Sequence, residues 1–468
     1  MEINRILHLI FVAAGLLLLT AATSRAETTW KAGTARAVIT PTERMWLAGF
    51  ASRTNPATGG KLMDLWIKAL ALEDATGHRA VILTADLLGI PQNVYQHACA
   101  AIGKKYALQP EQILLCASHT HCGPVLRTAL YDIYTLDETQ RQAIEKYTDR
   151  LEAQMVEVTG AAIGNLEPVR ITSGQGASAF AVNRRSNSEP KVSQIIAAGE
   201  LKGPVDHSVP VLAVYAADGH LKTVLFGYAC HNTTLQLDEW SGDYAGFAQI
   251  ALEKNHPGAQ AMFFMGCGGD QNPLPRHEIY LSQRYGNMLA AAVEEVLVAP
   301  PHNLAPELVT KMKMVTLPFG SPLTVAELEA LKSDPQPPTR RWATRWLDFL
   351  NSGKTPPSDY PFPMQAWQFG GQQLLLTLGG EPVVDYAILF KQWFGPKTWV
   401  AGYCNDVMTY IPSQRVLRED EVTKPGARWG YEGSYCFVVY GLPAKRWGEK
   451  VEDIIGSAAK ELVGQFKK

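Results

Sequence analysis

The sequence predicts an α/β fold, a single large domain in which helices flank a mixed β-sheet. Short runs of β-branched and aliphatic residues recur along the chain, and segments with helical periodicity separate them. Polar residues follow the carboxyl ends of these runs. Because functional groups of α/β proteins cluster in loops just past the strand ends, we expect the active site at the carboxyl ends of the strands.

Each element is predicted from its local pattern. Segments 80–88 and 112–117 are aliphatic runs that end in polar residues, as buried strands do. In segment 137–164 apolar residues recur at spacings of three and four, and Asp137 with Gln140 forms a capping pair, which predicts an amphipathic helix. The same criteria predict further strands at 211–215, 223–230, 261–265 and 373–378, and further helices at 280–298 and 446–466.

Segment 333–363 is rich in proline and aromatic residues, and it predicts a short helix followed by an irregular excursion. The aromatic side chains suit a packing role. The alternative is that they wall an apolar substrate groove, since large binding pockets are often lined in this way.

The first 26 residues predict the compartment. The apolar run from Leu7 to Thr20 has the length of a signal peptide and is shorter than a membrane span. Ser24 and Ala26 are small residues at the two positions that a signal peptidase reads, so we expect residues 1–26 to be cleaved and the protein to be secreted or periplasmic. An uncleaved N-terminal anchor is the alternative.

Composition excludes some classes of partner. The chain is 46% hydrophobic and 19% charged with a formal net charge of -2, which is typical of an ordinary globular protein and argues against a nucleic-acid partner. Seven cysteines are an odd number and lack the regular spacing of a disulfide scaffold. At least one thiol is therefore free, and small buried side chains are the expected role for most of them.

Two segments place histidines directly after predicted strands. Ser118 to Pro124 (SHTHCGP) follows one strand, and in extended backbone the imidazoles of His119 and His121 would lie about 7 Å apart on one side. His231 follows a second strand in YACHNTT. Such histidines suit a metal site, although structural pairing and an ordinary core histidine remain alternatives from these residues alone.

Two glycine-containing segments complete the candidate site. Residues 265–273 (MGCGGDQNP) predict a loop where backbone approaches another group closely, and they lack the pattern of a phosphate-binding loop. Glu381 stands at a strand end in LGGEP, where it could serve as an anionic metal ligand or as a solvated turn residue.

Taken in order, these segments resemble the catalytic domain of the neutral, or alkaline non-lysosomal, ceramidase family. The resemblance is carried by SHTHCGP, VNRR, YACHNTT, SGDYAGFA, GCGGDQNP, LGGE, DVMTYIP and YEG in that order and spacing, from about Trp30 to the C-terminus. It implies a domain over residues 27–468 without the immunoglobulin-like C-terminal domain of full-length ceramidases. It also implies a zinc ion, with these ligands: His119, His231, Glu381 and Tyr410.

The resemblance further implies that His121, Arg184 and Tyr431 face the scissile group. A zinc-activated water would attack the amide carbonyl, while a donor such as His121 or Tyr431 stabilises the oxyanion. Asp86 and Asp243 are candidates for orienting the ligand histidines, with a purely structural role as the alternative. The implied partner is an N-acyl lipid or another small amide, with peripheral contact to a membrane surface as a compatible property.

Asn272 stands where the family typically carries a serine. The sequence therefore does not determine which polar head group the substrate carries. Three other hypotheses compete with a zinc amide hydrolase. One is a metal-free cysteine hydrolase that uses Cys122 or Cys230 beside a histidine. Another is a non-catalytic lipid- or glycan-binding homologue that keeps the fold. A His-x-His amidohydrolase barrel is the third, but the chain lacks the eightfold strand and helix repeat that it requires.

Overall fold

The computed structural model describes residues 29–422 and 430–467. The predicted signal peptide lies outside the described residues. The strands are β1 (Trp30–Val38), β2 (Trp66–Glu73), β3 (Arg79–Ala85), β4 (Ile113–Ala117), β5 (Glu167–Ala177), β6 (Ala181–Asn183), β7 (Ser208–Ala216), β8 (Leu221–Tyr228), β9 (Gln260–Met265), β10 (Gln271–Pro273), β11 (His302–Asn303), β12 (Leu308–Pro318), β13 (Asp359–Phe369), β14 (Gln373–Leu378), β15 (Glu381–Pro382), β16 (Trp399–Ala401) and β17 (Tyr410–Ile411).

The α-helices are α1 (Gln92–Tyr106), α2 (Glu138–Gly164), α3 (Val192–Ala198), α4 (Asp243–Asn255), α5 (Ile279–Val298), α6 (Val325–Leu331), α7 (Pro337–Asn351), α8 (Asp385–Phe394), α9 (Gln414–Val422), α10 (Cys436–Tyr440) and α11 (Val451–Gly464). A π-helical turn, Tyr431–Tyr435, precedes α10. The predicted cap of α2 is confirmed, because the Asp137 side chain accepts a hydrogen bond from Gln140 N and the Gln140 side chain accepts one from Asp137 N.

The larger sheet is mixed and has the strand order β4-β3-β2-β1-β5-β7-β8-β9, with β11 paired to β5. The pairs β3/β4 and β8/β9 are parallel, and the strands between them pair antiparallel. The predicted α/β class with a mixed sheet is therefore confirmed. The carboxyl ends of β4 and β8 both lead to predicted site histidines.

A second, smaller sheet has the order β12-β13-β14-β16 and packs face to face on the larger one. Their shared core joins Leu70 and Ile82 of the larger sheet to Trp367, Leu375 and Trp399 of the smaller one. Alternation along each strand explains this layer, because Ile67 and Val81 point to the opposite face. The structure is thus helix, sheet, sheet, helix rather than one sheet covered by helices on both faces.

Helices cover the two outer faces. Helices α1 and α2 pack on β2 and β3, α4 and α5 pack on β7 to β9, and α8 and α11 pack on the smaller sheet. The apolar stripe of α2 that includes Tyr147, Leu151 and Met155 is fully buried in this layer. Within residues 29–422 and 430–467 we find no helix with the length and apolarity that crossing a bilayer requires.

Two sequence-based expectations about elements are wrong. Residues 446–450 are not helical, since the last long helix begins at Val451. Segment 333–363 is mostly regular: it contains α7 and the start of β13, which pairs over its whole length with β12. Its aromatic residues Trp342 and Trp346 pack with Leu328 and Val438, so the packing role is confirmed for them.

Candidate active site

His119 and His121 are brought together by a turn at the end of β4. His119 adopts a left-handed backbone conformation with φ of 59°, so the extended backbone expected for this segment is wrong. As a result the Nε2 atoms of the two rings lie 3.2 Å apart, much closer than expected. The left-handed turn is held by the His119 ring, whose Nδ1–H donates to the Leu88 carbonyl at 2.7 Å and which packs on Tyr403.

His231 follows β8 and is held by the glycine-rich segment. Its Nδ1–H donates to the Gly268 carbonyl at 2.6 Å, and its backbone N–H donates to the Gln271 carbonyl. A Cβ added at Gly269 would lie 2.7 Å from the Glu381 carbonyl oxygen. The close backbone approach predicted for residues 265–273 is therefore confirmed, and it brings the His231 and Glu381 segments together.

Glu381 and Tyr410 are direct neighbours in the short parallel pair of β15 and β17. The Glu381 Oε2 atom lies 3.1 Å from His119 Nε2 and 3.3 Å from His231 Nε2, and the Tyr410 hydroxyl lies 2.8 Å from His231 Nε2. Tyr440, which the sequence did not indicate, donates its hydroxyl hydrogen to the other carboxylate oxygen, Oε1. The four predicted metal ligands therefore meet in one buried place.

The donor set fits a cation. In a neutral imidazole one nitrogen donates and the other accepts. Because both Nδ1–H groups of His119 and His231 are taken up by backbone carbonyls, both Nε2 atoms present lone pairs, and both face the carboxylate oxygen Glu381 Oε2. That oxygen is buried and accepts no hydrogen bond. Histidine nitrogens with carboxylate and phenolic oxygens are ligands that zinc accepts.

His121 differs from the other two histidines. The side-chain nitrogens of all three lie within 4.8 Å of one another, so geometry alone admits His121 as a ligand. Its Nδ1 atom, however, is buried without a hydrogen-bond partner, whereas both other rings are fixed by a backbone carbonyl. Burial, with the neighbouring histidines, lowers the pKa of His121 well below its usual range. His121 is thus a neutral ring whose Nδ1 is not fixed by a hydrogen bond.

Arg184 lies against the candidate ligands from the side of Tyr431. Its Nη2 donates to the Tyr410 hydroxyl at 3.1 Å, its Nη1 to Asn272 Oδ1 at 3.2 Å, and its Nε to Glu432 at 2.9 Å. Tyr431 packs edge to face on Tyr410 at 5.2 Å and is 37% exposed, so it lies at the open side of the centre. Trp429, which precedes this turn, lies outside the described residues.

Of the two roles left open for Asp86 and Asp243, the hydrogen bonds favour the structural one over orientation of the ligand histidines. The histidines are oriented by backbone carbonyls, as described above. Asp86 accepts a hydrogen bond from Trp66 N, while Asp243 accepts from Leu235 N and from the Ser282 hydroxyl. Asp243 is also the first residue of helix α4. Both carboxylates therefore stabilise the surrounding backbone and helix packing.

The thiols beside the histidines are poorly suited to act as nucleophiles. Cys122 and Cys230 are fully buried, and burial raises the pKa of Cys122 to about 12 and that of Cys230 well above its usual range. A reactive cysteine needs a lowered pKa and access to substrate. The arrangement disfavours a cysteine hydrolase.

The chain is similar to known ceramidases in sequence and in fold. The family model for "Neutral/alkaline non-lysosomal ceramidase, N-terminal" matches residues 30–281, more than half of the 468 residues. A solved ceramidase complexed with C2 is 19% identical, with a TM-score of 0.66 over 93% of this chain and 76% of that chain. Neutral ceramidase from Pseudomonas aeruginosa is 20% identical, with a TM-score of 0.68 over 94% and 75%. No curated protein sequence matches the chain.

Proposed function

Because the chain belongs to the neutral/alkaline non-lysosomal ceramidase family, we propose that it is a zinc-dependent hydrolase of ceramide or a related N-acyl compound. Family membership makes the protein a ceramidase-like hydrolase of amide bonds. The zinc ion, the residue roles and the substrate are the proposed part. The observation that carries it is the convergence of two imidazole lone pairs on the buried carboxylate oxygen of Glu381.

We assign His119, His231, Glu381 and Tyr410 as the residues that would hold the zinc. A bound zinc supplies an acidic water and a Lewis acid for the amide carbonyl. The donation from Arg184 to the Tyr410 hydroxyl keeps that oxygen at the centre and adds a positive charge beside it. Tyr440 fixes the carboxylate by donating to its outer oxygen, Oε1, which leaves Oε2 toward the histidines.

His121 is assigned the movement of protons. Its ring lies next to His119 and is not anchored at Nδ1, so it can take a proton from the attacking water and pass it to the leaving amine. Tyr431 has a partly exposed side chain beside Tyr410, where its hydroxyl can donate to the oxyanion of the substrate. The guanidinium of Arg184 lies on the same side of the centre as Tyr431.

The domain organisation and the location of the protein are part of the proposal. The two sheets share one buried core, which supports a single catalytic domain over the described residues. Export through a cleaved signal peptide of residues 1–26 rests on the sequence pattern alone. Peripheral contact with a membrane surface is compatible with an N-acyl lipid substrate.

The test is hydrolysis of a fluorogenic N-acyl sphingosine before and after chelation. We expect chelation to abolish activity and added zinc to restore it, because the proposed nucleophile depends on the metal. Alkylation of thiols and the variant Cys122→Ser should leave the rate unchanged. Full activity in chelator, together with inactivation by the alkylating reagent, would establish a cysteine hydrolase instead. Bound zinc without turnover on any N-acyl compound would favour the non-catalytic homologue.

A further inference from the structure

A cavity of about 720 Å³ lies one layer of residues away from the proposed metal centre. Arg53 lines it, and its Nη2 donates to the His121 carbonyl at 3.1 Å. Tyr435 also lines it, and its ring lies 6.4 Å from that of Tyr431. The cavity is therefore bounded by direct neighbours of His121 and Tyr431, two of the three residues that are proposed to face the scissile group.

The charged residues that line this cavity are all basic. Its lining contains Arg53 and Arg341 and, among the described residues, no carboxylate. Arg53 is paired through Nη1 with Asp238 at 2.9 Å. Arg341 donates only from Nε, to the Asp132 backbone carbonyl at 2.8 Å, while the Asp132 carboxylate pairs with Arg345. Within the part of the chain that the structure describes, the two terminal nitrogens of Arg341 thus have no hydrogen-bond or ion-pair partner.

The Asp132 carboxylate attracts the Arg341 guanidinium through space without accepting a hydrogen bond from it, and partial burial weakens the solvation of that guanidinium by water. Burial accordingly lowers the pKa of Arg341. A bound anion would restore the missing partner with charge-assisted hydrogen bonds. Ile133, Pro338 and Trp46 form an apolar part of the lining, which also contains neutral polar side chains: Ser52, Thr54, Thr135 and Gln336. An apolar stem that carries an anionic oxygen group matches both halves of the cavity.

We propose that the cavity binds an anionic oxygen group of the substrate, so that the preferred substrates are N-acyl compounds with a carboxylate or similar anion rather than neutral ceramide. This inference rests on the proposed amide hydrolysis. Arg341 is the specificity-determining residue, and it pairs with the anion through its free terminal nitrogens. The aromatic and proline-rich segment 333–363 therefore contributes part of the substrate site through α7.

The test compares three dodecanoic amides by kcat/KM, measured as release of amine. Dodecanoylglycine carries a carboxylate on the amine side, dodecanoylglycinamide is its neutral counterpart, and the glycinamide monoamide of dodecanedioic acid carries a carboxylate on the acyl side. We expect at least one carboxylate compound to exceed the neutral amide about tenfold or more, since a hydrogen bond to a charged group contributes about 1.5–3 kcal/mol. The compound that gains shows which side enters the cavity.

Arg341→Gln should bring the kcat/KM ratio of the preferred carboxylate compound to the neutral amide close to one, while Arg340→Gln should preserve that ratio. Arg340 is the adjacent arginine, exposed and outside the cavity lining. Equal or faster hydrolysis of the neutral amide by the wild type would overturn the inference and leave the proposed function intact. A preference for the carboxylate compound that persists in Arg341→Gln would also overturn the inference.

A binding measurement tests the anion site without requiring catalysis. Dodecanoate cannot be hydrolysed, so calorimetry with dodecanoate and with dodecanol on the purified enzyme measures binding without turnover, and Arg341→Gln distinguishes binding in the cavity from ligation of a carboxylate by zinc. We expect the enzyme to bind dodecanoate more tightly than dodecanol and Arg341→Gln to lose the difference. If no amide is cleaved but this binding pattern is found, the proposed function fails and the anion site stands. Equal binding of the two compounds would refute the anion site.

Discussion

Replacing Asp406 by asparagine should change how the stability of the protein depends on pH. Asp406 is 1% exposed and lies in the segment that leads to Tyr410. Its Oδ2 accepts hydrogen bonds from the Tyr360 hydroxyl at 2.7 Å and from Gln92, whereas Oδ1 is buried without a partner. Its backbone carbonyl accepts from Gly380 N, so the residue also braces the turn before Glu381.

Burial raises the pKa of Asp406 from its ordinary value of 3.8 to about 7. The folded protein therefore retains a proton that the unfolded chain releases at lower pH. As pH rises from about 4 to about 7, the unfolded state is favoured and the wild type loses stability. The difference between about 7 and 3.8 corresponds to about 4 kcal/mol at most. Asparagine cannot ionise, so the variant should not suffer this loss.

The assay is urea unfolding of wild type and Asp406→Asn at about pH 4, 6 and 8. We expect the stability of the variant, relative to wild type, to increase by about 2–4 kcal/mol across this range. Taking the difference cancels the other titrating groups that the two proteins share. Asp359→Asn changes an exposed carboxylate in the strand that carries Tyr360 and should give parallel curves. A constant difference between Asp406→Asn and wild type would refute the reasoning.

Two further substitutions test the backbone and the cationic side of the centre. Gly380→Ala should cost about 3 kcal/mol in chemical unfolding and reduce metal retention, because Gly380 has φ of 63° and the new Cβ would lie 2.6 Å from the Thr409 carbonyl oxygen. Gly219 also has a positive φ, but a Cβ added there would have no neighbour within 4 Å, so Gly219→Ala should cost only about 1 kcal/mol. Equal losses of stability in the two variants would contradict the crowding argument. Arg184→Lys should lower kcat by about tenfold or more, since the donors of a lysine ammonium sit on one nitrogen and cannot reach the separate acceptors that Nε, Nη1 and Nη2 of the guanidinium serve. An unaltered kcat, as expected for Arg170→Lys, would remove Arg184 from the mechanism.

The sequence predicted the site best where a histidine or carboxylate directly follows an aliphatic strand. His119, His231 and Glu381 belong to this class, because a buried strand fixes where its next few residues emerge. Tyr410, Arg184 and Tyr431 could be placed only by resemblance to a family. Their local sequences carry no periodic signal that distinguishes a ligand from a packing residue.

The missed features depend on contacts between distant segments. The left-handed conformation of His119 results from its hydrogen bond to Leu88 and its contact with Tyr403, neither of which a local pattern indicates. Tyr440 reaches Glu381 through the packing of α10. The stacking of two sheets was likewise missed, because strands buried on both faces look the same whether a helix or a sheet covers them.

The central claim is tested most directly by elemental analysis of purified protein, with hydrolysis of a fluorogenic N-acyl amide measured on the same samples. We predict about one zinc per chain in the wild type, and loss of both zinc and activity in His119→Ala. His97→Ala, which changes an exposed histidine of α1, should retain both. Wild-type protein that hydrolyses the amide without bound metal, or a His119→Ala variant that keeps its zinc and its activity, would contradict the account.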